Sequence, residues 1–385
     1  GLGTETIRMM VEGEFGYVDT ILTIGCAMIF MKVIEGSGAL DALNSLIIEK
    51  FHRFPAVLLV LIMLIIMFPG MITGSSTAAV LSAGSIMAPG LALMGIDAVT
   101  SGSIIAMGAL LGMIAPPVNT AALIICAGID VPYVGFEGPL ALITFPLAIL
   151  FVLLLGYKQA RHMDYEKLKP ALEKQDAIRK QYGVRIYIPL LVLVALMVIF
   201  KVLKLGEDIG MPLMFLISAA VGLFTGKKIN VLTAVPEAIR TAAPVMGILM
   251  GVGMFIEVMT ATGVRGLVVI SCLRSTLWLL ACAISIPLFG AVSSYGACSV
   301  LGVPFAYIYA SLLGGNSVVV LAAISLIAAV GDMMPPTALA GLFAAQVTGV
   351  EKYTKILKRC IVPIIILLVY ACFFLANSKL IAGLF

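Results

Sequence analysis

From Ser275 to Gly331 no residue carries a formal charge, and a second charge-free run extends from Phe54 to Ile96. A soluble domain cannot hide runs of this kind, because water-facing chains interleave charge at about 25% of positions. The whole chain points the same way, with 62% hydrophobic residues, 11% charged residues and a mean hydropathy of +1.16. Lipid is therefore the solvent for most of it. About 20 apolar residues cross a bilayer as a helix, and the candidate spans are 55–70, 98–129, 134–156, 186–203, 209–225, 241–262, 266–289, 304–330 and 357–377. No segment alternates with the period of two that a transmembrane barrel requires. The expected fold is an all-α polytopic membrane protein.

The charges that remain report orientation. Between Tyr157 and Arg185 stand eight Lys/Arg against four Asp/Glu, and Lys227 and Lys228 close the next hairpin. Short basic loops stay cytoplasmic, which puts 157–185 and 226–240 on that side. The segments 186–203 and 209–225 then form an out-and-back pair, with Lys201, Lys204, Glu207 and Asp208 outside. The net charge of +4 says nothing of nucleic acid, and no such partner is expected. Seven cysteines lie in apolar segments without a C-x-x-C and read as packing. Only His52 and His162 are present, both in charged loops, so a histidine metal centre is not expected. No cleavable signal is visible at the start.

The chain is also a duplication. Phe30–Gly38 aligns with Phe255–Gly263 at an offset of 225, and the stretch opening at Gly70 aligns with Gly290–Ser299 at 220. Pro116-Pro117 aligns with Pro335-Pro336 at 219, Gly128 with Gly349 at 221, and Tyr133 with Tyr353 at 220. Five landmarks in one order define two halves. Each half opens with a short amphipathic arm, Glu5–Arg8 and Glu237–Arg240. The resulting division is an arm at 1–17, repeat 1 at 18–156, a cytoplasmic linker at 157–185, a scaffold pair at 186–228, an arm at 229–241 and repeat 2 at 242–385. Only the second half has a hairpin before its arm, so about 40 further residues are expected before Gly1.

Both halves carry the same two anomalies. One is a Gly/Ser/Thr knot after a long apolar helix, Gly70–Gly84 and Gly290–Ser299. The other is a Pro-Pro pair in a charge-free segment. Two adjacent prolines remove two donors and clash with carbonyls a turn earlier, so the helices should break near Gly112–Ala115 and Gly331–Met334. Freed backbone groups survive in hydrocarbon only when buried in protein or lining a wet cavity. Matching interruptions in two halves point to a secondary-transporter site at mid-membrane. Helix N-termini there hold carboxylates and carbonyl ends hold Na⁺. Asn119, Thr120 and Thr337 fall on the resuming N-terminal turns. Asp332, an acid at the end of a charge-free run, reads as an Na⁺ ligand or proton carrier; capping the broken helix is the competing reading. Any single hydroxyl here could be packing; recurrence in both halves argues for a site. Tyr295 is open between site and buried aromatic. Lys32 and Glu257 read as scaffold pairs, and Met63, Met67 and Met71 as packing.

These landmarks resemble a known family, the large membrane subunit of tripartite ATP-independent periplasmic (TRAP) transporters, within the ion transporter superfamily. The specific pieces are Phe68–Ala78, Met113–Asn119 followed by Ala127–Asp130, and Met333–Thr337 followed by Thr348–Val350. The resemblance implies an elevator, with a scaffold and a transport domain of inverted repeats, re-entrant hairpins and broken helices. It implies an organic acid and Na⁺ as ligands, and as partners a small membrane subunit and a periplasmic binding protein in the bacterial inner membrane. The tips fall on Thr73–Thr77 and Ser293–Gly296, the breaks on Ala115–Thr120 and Gly331–Thr337. Candidate substrate ligands are thus Ser75, Ser76, Thr77, Asn119, Thr120, Ser293, Ser294 and Thr337. Candidate ion ligands are Thr73, Gly74, Gly112, Ala115, Gly290, Gly296, Gly331 and Asp332. The chain departs from the family at Gly74-Ser-Ser-Thr77, where Ser-Gly-Ser is common, and at Asp332, where a small, apolar or hydroxyl residue is usual.

A sister family, the divalent-anion/Na⁺ symporters, ranks second because its Ser-Asn-Thr tips are absent here; it would act alone, usually as a homodimer. The expected function is Na⁺-coupled carriage of a small carboxylate, with no organic cofactor and no enzyme activity. More distant readings are a channel or a non-transporting scaffold.

Overall fold

The computed structural model describes residues 2–15, 18–161, 177–203, 210–263, 278–292, 295–312, 314–335 and 338–385. These residues are helical throughout, with no strand among them. The first half contains α1 (Leu2–Phe15), α2 (Val18–Ser37), α3 (Ala39–Phe51) and α4 (Pro55–Thr73). A hairpin tip follows, then α5 (Ser76–Ala79), a π-helical turn at Val80–Gly84 and α6 (Ser85–Leu93). Next come α7 (Ala98–Gly112), α8 (Thr120–Gly128) and α9 (Glu137–Ala160). The middle pair is α10 (Ile188–Leu203) and α11 (Met211–Gly222). The second half holds α12 (Val231–Ala261), α13 (Trp278–Val292), α14 (Tyr295–Tyr307) and α15 (Ser317–Ala329), then α16 (Leu339–Thr348), α17 (Tyr353–Ala376) and α18 (Ser378–Ala382).

Four helical segments are long and apolar enough to cross a membrane: Pro55–Thr73, Glu137–Ala160, Ala177–Ile199 and Tyr353–Ala376. With the bent pair α2–α3 there are up to five such spans among the described residues. Other apolar helices, among them α7, α11, α13, α15 and α16, are shorter, with apolar stretches of 10–17 residues. Two of these helices stop and resume near the Pro-Pro pairs. α7 ends at Gly112 and α8 begins at Thr120; α15 ends at Ala329, tightens into a 3₁₀ turn at Val330–Met333, and the chain resumes as α16 at Leu339.

Four differences from the sequence reading have physical causes. The arm at 229–241 and the span at 241–262 form one helix of 31 residues, supported along its length by α1 and α2. A Cβ on Gly13 would lie 2.4 Å from the Gly253 carbonyl oxygen, and one on Gly25 2.8 Å from the Met246 side chain. The span expected at 304–330 is divided, because Gly314 turns the chain with φ 64° and the Asn316 side chain caps α15 by accepting the Val319 N–H at 3.1 Å. α2 is a 20-residue helix that hydropathy reading passed over, its charges masking an otherwise apolar face. Lys32 on α2 bonds not Glu257 but Glu35 and Glu237 of α12, each at 3.3 Å, so it does tie scaffold helices together. Most of the linker at 157–185 and the loop at 204–208 lie outside the described residues.

Packing separates two apolar cores. One gathers α2, α3, α10 and α11 around Phe30 and Phe215, whose rings lie 6.0 Å apart. The other gathers α4, α7–α9 and α13–α17, with Ile24 and Met28 of α2, Ile48 of α3 and Ala238 and Ala242 of α12 also packed into it. Ile72 and Val118, from the first tip and first break, belong to the smaller core and join the two bodies. In the larger body, α7 is buried from Thr100 to Gly112 and α15 from Val319 to Ala329. An apolar helix buried on every face is a core helix, and these are the two that break. α17, by contrast, leaves Ile361, Val362, Ile365, Val369 and Phe373 uncovered, as a lipid-facing helix should.

α7 and α9 are joined at one end by polar bonds. Asp97 caps α7 by accepting the Thr100 N–H at 2.9 Å, while Gln159 on α9 accepts the Asp97 N–H at 3.0 Å and donates back to its carboxylate. Burial alone would raise the Asp97 pKa, but hydrogen bonds from Thr100 and Gln159 outweigh it and hold the carboxyl below its ordinary value. A depressed pKa stabilises the fold above the unfolded value near 4, and this is lost as pH falls through the folded value. Asp97→Ala is expected to cost about 1 kcal/mol, and to flatten the acid limb of the thermal-melting profile in detergent. An unchanged acid limb would show that the cap contributes nothing.

Candidate functional site

The first tip is built by its own hydroxyls. α4 stops because Gly74 adopts φ 62° and its N–H reaches back to the Gly70 carbonyl at 2.7 Å, a left-handed terminus that glycine adopts without strain. The Thr73 hydroxyl donates to the Pro69 carbonyl at 2.7 Å and accepts the Ser75 N–H at 3.3 Å. Ser75 caps α5, accepting the Ala78 N–H at 3.3 Å. Gly70 and Gly112 let α4 cross α7 backbone to backbone: a Cβ on Gly112 would lie 2.5 Å from the Met67 carbonyl oxygen. Small residues at such crossings permit close helix packing. Gly112, a candidate ion ligand, thus has a packing duty.

The first break locks onto that tip. Thr120 Oγ1 donates to the Gly74 carbonyl at 3.1 Å, and the Val118 N–H reaches the Met71 carbonyl at 3.1 Å. Ala115 closes the end of α7, its N–H 3.0 Å from the Leu111 carbonyl and 3.2 Å from that of Gly112. The Pro116–Pro117 peptide is cis. Asn119 is fully buried and uses its whole amide: Oδ1 accepts the Ala122 N–H at 2.9 Å, and Nδ2 donates to the Ile114 carbonyl at 3.0 Å and to Ser325 Oγ at 2.8 Å. Ser325 belongs to α15, so one side chain ties the first break to the helix entering the second. Tyr133 completes the shell, its hydroxyl accepting the Asn119 N–H at 3.2 Å and donating to the Pro117 carbonyl at 3.0 Å.

The second break returns to the first tip. In its 3₁₀ turn the Gly331 carbonyl accepts the Met334 N–H at 3.2 Å. Asp332 is 2% exposed. Its carboxylate accepts the Ser76 hydroxyl from the first tip and the Ala340 N–H from the first turn of α16. The side chain therefore bonds the first turn of the resumed helix and also links it to the first tip. Among the described residues it forms no salt bridge.

Thr73, Gly74, Ser75, Ser76, Ala115, Asn119, Thr120, Gly331 and Asp332 are thus assembled in one connected region. Thr77 is half-buried in the first turn of α5 beside it. Gly290 is buried near the end of α13, and Gly296 lies in the first turn of α14. Both α13 and α14 pack against the 3₁₀ turn that carries Asp332. Ser293, Ser294 and Thr337 lie outside the described residues. Sequence reasoning missed Ser325 and gave Tyr133 no role; the available signals were a lone hydroxyl in a charge-free helix and a landmark shared by both halves.

The contacts recur when the halves are exchanged. The second arm of the first hairpin packs on α16, and α14, the second arm of the other, packs on α8. α7 packs on α9 and α17, as α15 packs on α17 and α9. Two buried, interrupted helices inside a bundle with membrane-spanning apolar helices make up a multi-pass membrane protein. The chain belongs to the family described as "Tripartite ATP-independent periplasmic transporter, DctM component", whose family model matches residues 6–378. It is the large membrane component of a TRAP-type secondary transporter, and such components work with a small membrane subunit and a periplasmic binding protein. No match is found among curated proteins.

A side chain at position 74 would both strain φ and strike Thr120, whose Oγ1 would lie 2.1 Å from a Cβ there. Gly74→Ala is expected to lower the melting temperature and folded yield, by at least about 1 kcal/mol from the backbone alone. Adding Thr120→Ala removes the clash but not the strain, and should recover part of the loss in size-exclusion and thermal-shift assays. Wild-type stability in Gly74→Ala would contradict the packing described.

Proposed function

We propose that this chain carries a small organic anion, a carboxylate, across the bacterial inner membrane in symport with Na⁺. In this reading an elevator step moves the site, and the chain acts with a small membrane subunit and a periplasmic binding protein. The observation that carries the proposal is the contact between the first tip and the second break, where Ser76 and the first turn of α16 converge on Asp332. A buried carboxylate with no basic partner among the described residues attracts a cation, since an uncompensated buried charge is costly. Carbonyls at the ends of α7 and of the 3₁₀ turn add the negative end of a helix dipole, suited to Na⁺. The N-termini of α8 and α16 supply the opposite end, suited to a carboxylate.

Several candidate hydroxyls are already engaged within the protein, which gives the site shape before a ligand arrives. Thr73, Ser75 and Thr120 hold the tip, and Asn119 holds the first break. Substrate contacts in this reading come from Thr77, from Ser76 exchanging partners, and from N–H groups at the resumed helices. The separation into two apolar cores supports the elevator, because the broken helices share one body and the scaffold pair α10–α11 the other. The family match favours this reading over the stand-alone symporter.

Proteoliposomes carrying the complete transporter should take up organic acids faster with an inward Na⁺ gradient than without one. Ion-independent uptake would overturn the coupling. Asp332→Asn is expected to abolish uptake or change its ion dependence while the protein keeps its size-exclusion profile. Unchanged ion dependence would remove Asp332 from the site.

A further inference from the structure

The first break is shaped by a side chain outside it. Pro117 contributes a carbonyl freed by the break, and Asn119 an N–H that precedes the first turn of α8. Tyr133 meets both, accepting from Asn119 N–H at 3.2 Å and donating to the Pro117 carbonyl at 3.0 Å. A phenol has one proton to give, and here it is committed to the break. The ring is held in turn by Phe136, stacked at a centroid distance of 4.7 Å and an angle of 13°, and Phe136 is itself buried at 1% exposure. The loop that returns Tyr133 to the break is tight. Asp130 adopts φ 55°, and the Val131 N–H bonds the Cys126 carbonyl at 3.0 Å.

We propose that Tyr133 is a positioning residue for the ligands of the first break. It holds the Pro117 carbonyl and the turn bearing Asn119 and Thr120 in register, without touching a ligand itself. This inference rests on the reading of the break as a binding site given above. A binding constellation must be held within about 0.5 Å by groups that are themselves locked, and partners one shell out set the affinity of a metal site. Proline at two successive positions leaves this backbone without N–H groups of its own for that purpose. The tyrosine supplies the missing donor.

The counterpart in the other half sharpens the assignment. Tyr353, which aligns with Tyr133 in the repeat, has a buried hydroxyl with no hydrogen-bond partner among the described residues. The two phenols are matched in sequence, and among the described residues only Tyr133 bonds a break, so removing each hydroxyl tests whether that bond matters.

The test compares Tyr133→Phe with Tyr353→Phe, both of which keep the ring. Two readouts are taken on the purified, folded complex: radiosodium binding, and hydrogen exchange at the amides of residues 118–122. Tyr133→Phe is expected to weaken Na⁺ binding about tenfold and to speed exchange at those amides, with the melting temperature near wild type. Tyr353→Phe should leave both readouts at wild-type values. Unchanged exchange in Tyr133→Phe, or an equal change in Tyr353→Phe, would overturn the inference. If the wild type binds no Na⁺, the proposed coupling fails; exchange alone then decides whether Tyr133 positions the break.

Discussion

A hydrocarbon solvent donates and accepts no hydrogen bonds, and the architecture follows from that constraint. A helix can break in such a medium only if protein satisfies the groups the break frees. Here the two helices that break are the two sheathed on every side, α7 and α15. Their freed groups are met by side chains, two from within the breaks themselves and one, Tyr133, from the loop after α8. Asn119 and Tyr133 serve the Ile114 and Pro117 carbonyls, and Asp332 serves an N–H of α16. Outer helices such as α17, which keep their own backbone bonds, can show apolar side chains to lipid.

Cross-bonding of the halves is the second theme. Polar bonds run from one half to the other. The first tip reaches the second break through Ser76 and Asp332, and the first break reaches α15 through Asn119 and Ser325. Such bonds make the larger body one unit, while contact with the scaffold core passes through apolar residues such as Ile72 and Val118. A polar network that is fully paired rigidifies, whereas an apolar contact lacks directional bonds. That difference is what a carrier that slides one body along another would need.

Much of the fold was legible in the residues. Charge-free runs announced the membrane, Pro116-Pro117 and Pro335-Pro336 announced the breaks, and Gly74 announced the first tip. Other features were hidden for identifiable reasons. α2 carries Lys32 and Glu35, charges that read as a loop until Glu237 is found across from them. The length of α12 depends on α1 and α2 lying against it, a long-range condition with no local signal. Hydroxyls also have two uses that composition cannot separate: Ser75 and Thr73 build the tip, whereas Ser76 bonds across it.

By itself the sequence determined the class of solvent and pointed to helix interruptions near Pro116-Pro117 and Gly331, because these follow from local rules of charge, proline and glycine. Tertiary structure decided which hydroxyl meets which acid, that Gly112 serves a helix crossing, and that Tyr133 bonds the first break. Those outcomes depend on distances between segments far apart in the chain, such as the 206 residues that separate Asn119 from Ser325. Only packing brings such segments within the 3 Å or so at which a hydrogen bond forms.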